Sequence, residues 1–369
     1  MQFFCPGQGA VYMVYLNVSM NDNKTLRKVF LELTDSCNLE CEICYRHQWV
    51  EQPVDMHEEL WKKAIMQIRD IPSVETIVLG GMGEPLISPL FDETVKLLGD
   101  KSIWVTSNGI LFREKLTPEI VKGINLFIVS IDGMEDQMVK GRGVVFSELM
   151  ANIDWLNKIK EDEQLTEPYL DVQFVASKKN IQDIYPLMDV LAEKNIRNLV
   201  ISHLMPQNMK QADDILYMLH GNDELKMIFN KIRNYSFKRG LRVIFPEVEL
   251  KTERRCAFVN NDATYITSRG EVVPCYRLSH PGSEVVFGRA KSLRQYSFGN
   301  IFNDTLSEIW GRKNYLHFRQ KIYNNHYPSC PDCDLVEGCS LINDVEFDCN
   351  GEEPNCADCL WARKFIFCN

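Results

Sequence analysis

Apolar positions along residues 28–240 follow two alternating rhythms. Short runs at Val29-Phe30-Leu31-Glu32-Leu33 and at residues 76–79, 103–107, 126–131, 169–175 and 198–204 have the length and patterning of strands. Between them the spacing turns helical, with Leu60, Trp61, Ala64, Ile65 and Ile68 behind an acidic start at Asp55 and Glu58. Leu149, Ile153 and Leu156 form a second apolar stripe, and Ile181, Ile184, Leu187, Met188 and Leu191 a third. Thr117 before Pro118 reads as a further helix start. Six strand-then-helix units from about Val29 to Tyr235 imply a parallel sheet with right-handed crossovers, closed or partly closed into a barrel. Periodicity alone does not separate a partial barrel from an open, doubly wound sheet. A short alternating run at Val11 to Val18 predicts one more strand, inside an otherwise uninformative leader of residues 1–27. From Leu241 the rhythm stops, which predicts a domain of residues 28–240 followed by a second of residues 241–369.

With 369 residues, 45% hydrophobic and 25% charged, the chain can bury a sizeable core in one larger and one smaller domain. Its net charge of -10 argues against a phosphate-neutralising surface, so no nucleic-acid partner is expected. No apolar run approaches the roughly 20 residues of a membrane helix, and no basic-then-apolar leader opens the chain. No membrane association and a cytoplasmic location are therefore expected. The 13 cysteines would suit a disulfide scaffold if they were spread through a small domain, but they form tight groups near both ends of a long chain. That grouping favours metal clusters in a reducing compartment. Cys5 stands at no ligand spacing and reads as a free thiol.

The first group is Cys37-Asn-Leu-Glu-Cys41-Glu-Ile-Cys44, directly after the first predicted strand. Three thiolates so close in sequence can converge on one face of a cuboidal iron–sulfur cluster, each binding one iron and leaving the fourth open. A structural zinc loop is the competing reading. The motif resembles the signature of radical SAM enzymes, which chelate S-adenosylmethionine at such an open iron. That resemblance implies a 4Fe-4S cluster on Cys37, Cys41 and Cys44 as the catalytic centre, and a partial (β/α)6 barrel as the α/β fold.

Other strand ends carry residues suited to a bound cofactor. Gly80-Gly81-Met82-Gly83-Glu84-Pro85 permits close backbone approach to an ammonium group whose charge Glu84 can offset. It resembles the family's glycine-rich motif, with Met82 inserted. Thr106-Ser107-Asn108-Gly109 resembles the family's turn after the third strand. Ser130 and Asp132 end the fourth strand, where relatives place groups near the ribose or the methionyl carboxylate. The resemblance extends to His203 and to Ile43 as candidates for the adenine pocket, Ile43 standing where many relatives carry an aromatic residue. A hydrogen-bonded core histidine is an equally good reading of His203.

Nine cysteines fall between Cys256 and Cys368. Cys256, Gly270, Cys275 and then Cys330-Pro-Asp-Cys333 and Cys339 are similar to the SPASM extension, which implies two auxiliary 4Fe-4S clusters. Where that module usually has a cysteine, Asn343 stands here, so Cys349 is the expected replacement. Cys356, Cys359 and Cys368 supply further candidate ligands. The expected grouping sets Cys256, Cys275 and Cys349 with one more thiol, and Cys330, Cys333 and Cys339 with one of the last three. Zinc competes here too, because paired CxxC elements suit it.

The segments Leu250 to Cys256, Pro274 to Arg277, Tyr296 to Ile301 and Asp358 to Arg363 resemble radical SAM maturases associated with tungsten-containing oxidoreductases of the aldehyde ferredoxin oxidoreductase type. The resemblance implies a tungsten-dependent oxidoreductase or its tungstopterin as substrate, with a reductant such as ferredoxin or flavodoxin. Peptide or protein side-chain modification is the alternative. Sulfatase-maturing relatives carry an aspartate after the cysteine matching Cys275; Tyr276 stands here, and a phenol deprotonates near neutrality only with a lowered pKa. A non-catalytic iron–sulfur scaffold is the third reading.

Overall fold

A computed structural model describes residues 25–49, 51–251 and 253–367. The strand expected at Val11 to Val18, and the thiols of Cys5 and Cys368, lie outside these residues. The six strand–helix units are present. β1 (Lys28–Leu31), β2 (Thr76–Leu79), β3 (Ser102–Ser107), β4 (Leu126–Ser130), β5 (Tyr169–Ala176) and β6 (Asn198–His203) each pair in parallel with the next. Parallel neighbours cannot be joined by a tight turn, so the chain returns through helices, among them Glu58–Arg69, Phe146–Asp162, Ile184–Leu191 and Asp223–Arg239.

Two further strands extend the sheet: β7 (Val243–Ile244) beside β6, and β8 (Ala263–Ile266) parallel to β1. With β9 (Val272–Val273) antiparallel to β8, the order is β7-β6-β5-β4-β3-β2-β1-β8-β9. The outermost described strands are not neighbours, so the barrel is partial. The sheet therefore runs straight through the boundary expected near residue 240, and the chain beyond it lends β7 to one edge and β8 and β9 to the other.

Successive strand side chains face opposite ways, and each face is sealed differently. Val29, Leu31, Ile77, Leu79, Ile103 and Val105 join the helix residues Leu60, Trp61, Ile65, Leu149 and Ile153 in the main core. Phe30 and Val78, from the other face, pack with Phe258, Ala263, Tyr265 and Val273 of the second domain. Truncating a buried aromatic such as Phe30 to alanine costs about 3–5 kcal/mol.

Thr117 caps its helix as expected, its hydroxyl accepting from the Ile120 N–H at 3.4 Å. Asp55 does not cap the Glu58–Arg69 helix; His57 does, its ring nitrogen accepting from the Glu59 N–H. Asp55 is held extended by an antiparallel bridge to Thr34, so the cap falls to a later residue.

Beyond the barrel, β10 (Gly282–Val286) and β11 (Arg289–Leu293) form a hairpin, and residues 330–342 wind through three short turns that carry cysteines. The chain then returns to the barrel, where the Phe365 and Lys364 carbonyls accept from the His203 and Glu247 N–H groups at 3.1 and 2.9 Å. Among the described residues no helix is long and apolar enough to cross a membrane.

Candidate active site

The loop after β1 is fixed before it reaches its thiols. Both oxygens of the buried Glu32 are engaged, one by the Tyr265 hydroxyl (2.7 Å) and Met82 N–H (3.0 Å), the other by His280 Nε2 (2.9 Å) and the Ser268 N–H (3.1 Å). Burial pushes the Glu32 carboxyl up, but His280 and these donors outweigh it and hold the group below its usual range. Asp35 accepts from the Val54 N–H at 2.5 Å and from Arg269 Nη1 at 2.5 Å. Glu32, Asp35 and His280 bring three potential ligand atoms within 4.8 Å of one another. Their lone pairs are already used and Arg269 adds positive charge, so this knot ties the two domains together rather than awaiting a cation.

The thiol loop itself is clasped from several directions. Glu42 N–H donates to the Gly141 carbonyl at 2.8 Å, while Gln207 and Gln211 side-chain amides donate to the Ile43 and Glu42 carbonyls at 2.6 and 3.1 Å. Cys37, Cys41 and Cys44 all open into one cavity of about 310 Å³. Burial pushes all three thiols up; the Arg142 guanidinium, 3.9 Å from Cys41 Sγ, opposes this at Cys41. Thiols raised by burial bind protons well until a metal replaces them.

Of the residues expected to bind the cofactor, Ile43, Gly81, Gly83, Glu84, Ser107, Asn108, Ser130 and His203 line this cavity. Gly80, Pro85 and Asp132 do not. A Cβ on Gly80 would stand 1.8 Å from Thr106 Oγ1, so this glycine serves the close approach of β2 to β3. Pro85 is buried at the start of a short turn, Pro85–Ile87. Asp132 stands behind the wall, accepting from the Val175 N–H at 2.7 Å and from Arg142 Nε at 2.7 Å. Its partner, Arg142, is the group that faces the thiols.

Gly83 lies against the Thr34 and Ser36 carbonyls, each 2.4 Å from where its Cβ would be. At Gly83 the loops after β1 and β2 therefore meet backbone to backbone. His203 serves both of its expected roles: it lines the cavity and is also a core histidine, with Nε2 3.1 Å from the Glu247 carbonyl and its ring stacked on Phe229. Burial pushes its pKa down to about 4, so the ring is neutral at ordinary pH. The sequence reading missed Arg142, Gln173, Trp361, Ile366 and Phe367, all of which line the cavity.

The other described thiols form two groups of four. Cys256, Cys275, Cys356 and Cys359 lie close enough to raise one another, with burial the larger cause, which takes Cys256 to about 11 and Cys356 to about 12. Cys330 is pushed up to about 11, chiefly by burial, and feels Cys339 and Cys349. Cys333 follows within a single turn, its N–H donating to the Cys330 carbonyl at 3.2 Å. This corrects the expected grouping: Cys349 sits with the Cys330 group, and Cys356 and Cys359 with Cys256 and Cys275. The cause is local packing. Asn355 Nδ2 donates to the Leu341 and Phe347 carbonyls at 2.9 and 3.1 Å, folding the Cys349 loop back on itself. The fully buried Leu360 and Phe365 anchor the final CxxC near the carboxyl end of β6, where the Phe365 carbonyl accepts from the His203 N–H.

Residues 31–219, just over half of the chain, match the Radical SAM superfamily. The chain belongs to the radical SAM superfamily. Residues 256–334 match SPASM, an iron-sulfur cluster-binding domain. The chain is 34% identical, over 93% of its length and 97% of the relative's, to the tungsten-containing aldehyde ferredoxin oxidoreductase cofactor-modifying protein of Pyrococcus furiosus. It shares its fold with Streptococcus suis SuiB bound to S-adenosylmethionine, at TM-score 0.61 and 17% identity over 85% of this chain and 72% of that one. Native anSMEcpe with bound AdoMet superposes at TM-score 0.56 and 15% identity over 92% and 96% of the two chains.

The thiols of this radical SAM enzyme fit iron–sulfur clusters better than single zinc ions. Tetrahedral zinc draws its sulfurs to about 3.8 Å from one another, given a Zn–S bond of about 2.3 Å. Among the described residues no three thiols come within 4.8 Å of one another, so none is drawn in as a zinc ion would draw them. Beside Cys256, Cys356 and Cys359, the buried Tyr327 hydroxyl has no hydrogen-bond partner, and a cluster sulfur would supply one.

Proposed function

We propose that this radical SAM enzyme is a maturase for a tungsten-containing oxidoreductase, acting on the tungstopterin or on the protein that carries it. The observation that supports this is the extent of its similarity to the P. furiosus cofactor-modifying protein, which covers 97% of that chain and so includes both domains. When bound, the N-terminal cluster and S-adenosylmethionine supply a 5'-deoxyadenosyl radical that takes a hydrogen atom from the substrate.

The chain's own residues bind and orient. Cys37, Cys41 and Cys44 would hold the N-terminal cluster. Arg142, fixed in place by Asp132, offers a cation to the cofactor's carboxylate beside Cys41. Gly81 and Gly83 keep the loop after β2 thin enough for backbone contact with the methionyl amine. The buried Glu84 braces Ser107 and Asn108. Ile43, Leu204 and Met205 give the cavity an apolar wall against water. The two groups of four thiols would hold the auxiliary clusters, which would supply electron-transfer chemistry. The surroundings we infer are the cytoplasm and a low-potential reductant such as ferredoxin or flavodoxin, with no nucleic acid involved.

The test is anaerobic incubation with S-adenosylmethionine, dithionite and either the tungstopterin or the oxidoreductase from cells that lack this protein. Stimulated 5'-deoxyadenosine release with a mass change in that substrate supports the reading. Stimulation by a peptide substrate alone would favour side-chain modification instead.

A further inference from the structure

The second domain buries four ionised side chains that the proposed chemistry does not use. Arg277 Nε donates to both Glu284 oxygens, at 3.0 and 3.2 Å, and its Nη2 donates to Asp358 Oδ1 at 3.0 Å. Lys291 Nζ stands 2.8 Å from Asp358 Oδ2. None of the four side chains is more than 5% exposed. Two cations and two anions cancel, but stripping four charges of water is costly, and apolar residues of similar size commonly serve stability as well.

What sets this chain of charges apart is its position between the two four-thiol groups. Asp358 lies inside the final CxxC. Arg277 acts on Cys356 and Cys359 of one group, where Glu284 opposes it at Cys359, whereas Lys291 acts on Cys330 of the other, where Asp358 opposes it. Glu284 grips Arg277 at two points and keeps its guanidinium turned toward Asp358.

We propose that the buried charges of Arg277, Glu284, Asp358 and Lys291 set the reduction potentials of the two auxiliary clusters, Arg277 acting on the Cys256/Cys275/Cys356/Cys359 site with Glu284 opposing it, and Lys291 on the Cys330/Cys333/Cys339/Cys349 site with Asp358 opposing it. Reducing a cluster that is already anionic through its thiolates adds one more negative charge. A fixed cation nearby favours that reduced form and raises the potential, while a fixed anion lowers it. At the less exposed Cys256/Cys275/Cys356/Cys359 site the effect is weakly screened, and at the other site, where Cys333 and Cys349 are exposed, it is screened more. These residues act through the clusters and are positioning residues, buried against one another. The inference rests on the iron–sulfur-binding second domain and is independent of the substrate.

The test is an anaerobic potentiometric titration of the iron-replete enzyme followed by electron paramagnetic resonance. Signals are assigned with a Cys349→Ala protein, which lacks the second auxiliary cluster. Asp358→Asn keeps the shape and removes the shared anion. The Cys330-group potential should move positive, by more than that of the Cys256 group, while the Cys37/Cys41/Cys44 cluster stays in place. Lys291→Met should move the Cys330-group potential negative, and Lys291→Arg should restore it. Unchanged auxiliary potentials in an iron-replete variant, or an equal shift of all three clusters, would overturn the proposal. So would loss of auxiliary iron from both Asp358→Asn and Lys291→Met, because the charges would then be serving the fold alone.

Discussion

The Glu84 carboxylate accepts the Asn108 N–H at 2.8 Å and the Ser107 hydroxyl at 2.9 Å, so one buried acid fastens the loop after β2 to the loop after β3. Burial pushes its pKa up from 4.5 to about 7, against the pull of these donors. The folded protein therefore keeps a proton that the unfolded chain releases. Stability from this group is complete below 4.5 and is lost as pH rises through about 7. Glu84→Gln should flatten that dependence, and at the acid end should cost about 1–3 kcal/mol for the mismatched acceptor. Anaerobic thermal unfolding followed across the window reads both effects.

Arg142 offers the cavity a fixed cation. Arg142→Met should weaken S-adenosylmethionine binding by about 10- to 100-fold, the range of a lost charge-assisted hydrogen bond. Asp132→Asn keeps the cation and loosens its aim, so its loss should be smaller. Anaerobic equilibrium dialysis measures both, and equal affinity in wild type and Arg142→Met would remove this residue from the site.

The two groups of four thiols make separable metal sites. Wild-type protein with all three clusters should carry about twelve irons. Cys349→Ala should lose the cluster of the Cys330 group and keep the one on Cys256 and Cys275; Cys356→Ala should do the reverse. Iron analysis with resonance spectra distinguishes these outcomes from the grouping that linear spacing suggests.

Tyr265 joins the second domain to the first through Glu32. Tyr265→Phe leaves the shape and removes one of four donors to a buried carboxylate, at a cost of about 1–3 kcal/mol. Because Met82 shares the same oxygen, S-adenosylmethionine affinity should fall modestly as the melting temperature falls.

The strands and the CxxxCxxC loop were legible because both are local. Short apolar runs locate β1 to β6, and three thiols within eight residues need no distant partner to declare a cluster. Arg142 was not legible: it ends a polar helix, Glu135–Arg142, and lies 101 residues from the cysteine it faces. The pairing of Cys349 was misread for a related reason. Linear order suggests ligands in sequence, whereas the buried Leu360 and Phe365 and the Asn355 turn decide which thiols meet. The β1–β8 pairing was likewise invisible, since β8 reads as part of another domain until Tyr265 is seen to reach Glu32.

The most direct measurement is 5'-deoxyadenosine release from S-adenosylmethionine under dithionite, without substrate, in two single variants. Cys41→Ala removes a ligand from the cluster beside Arg142 and should give essentially none. Cys333→Ala damages only an auxiliary site and should retain release while losing turnover of the substrate. Wild-type release from Cys41→Ala would contradict the assignment of Cys37, Cys41 and Cys44 as the catalytic centre.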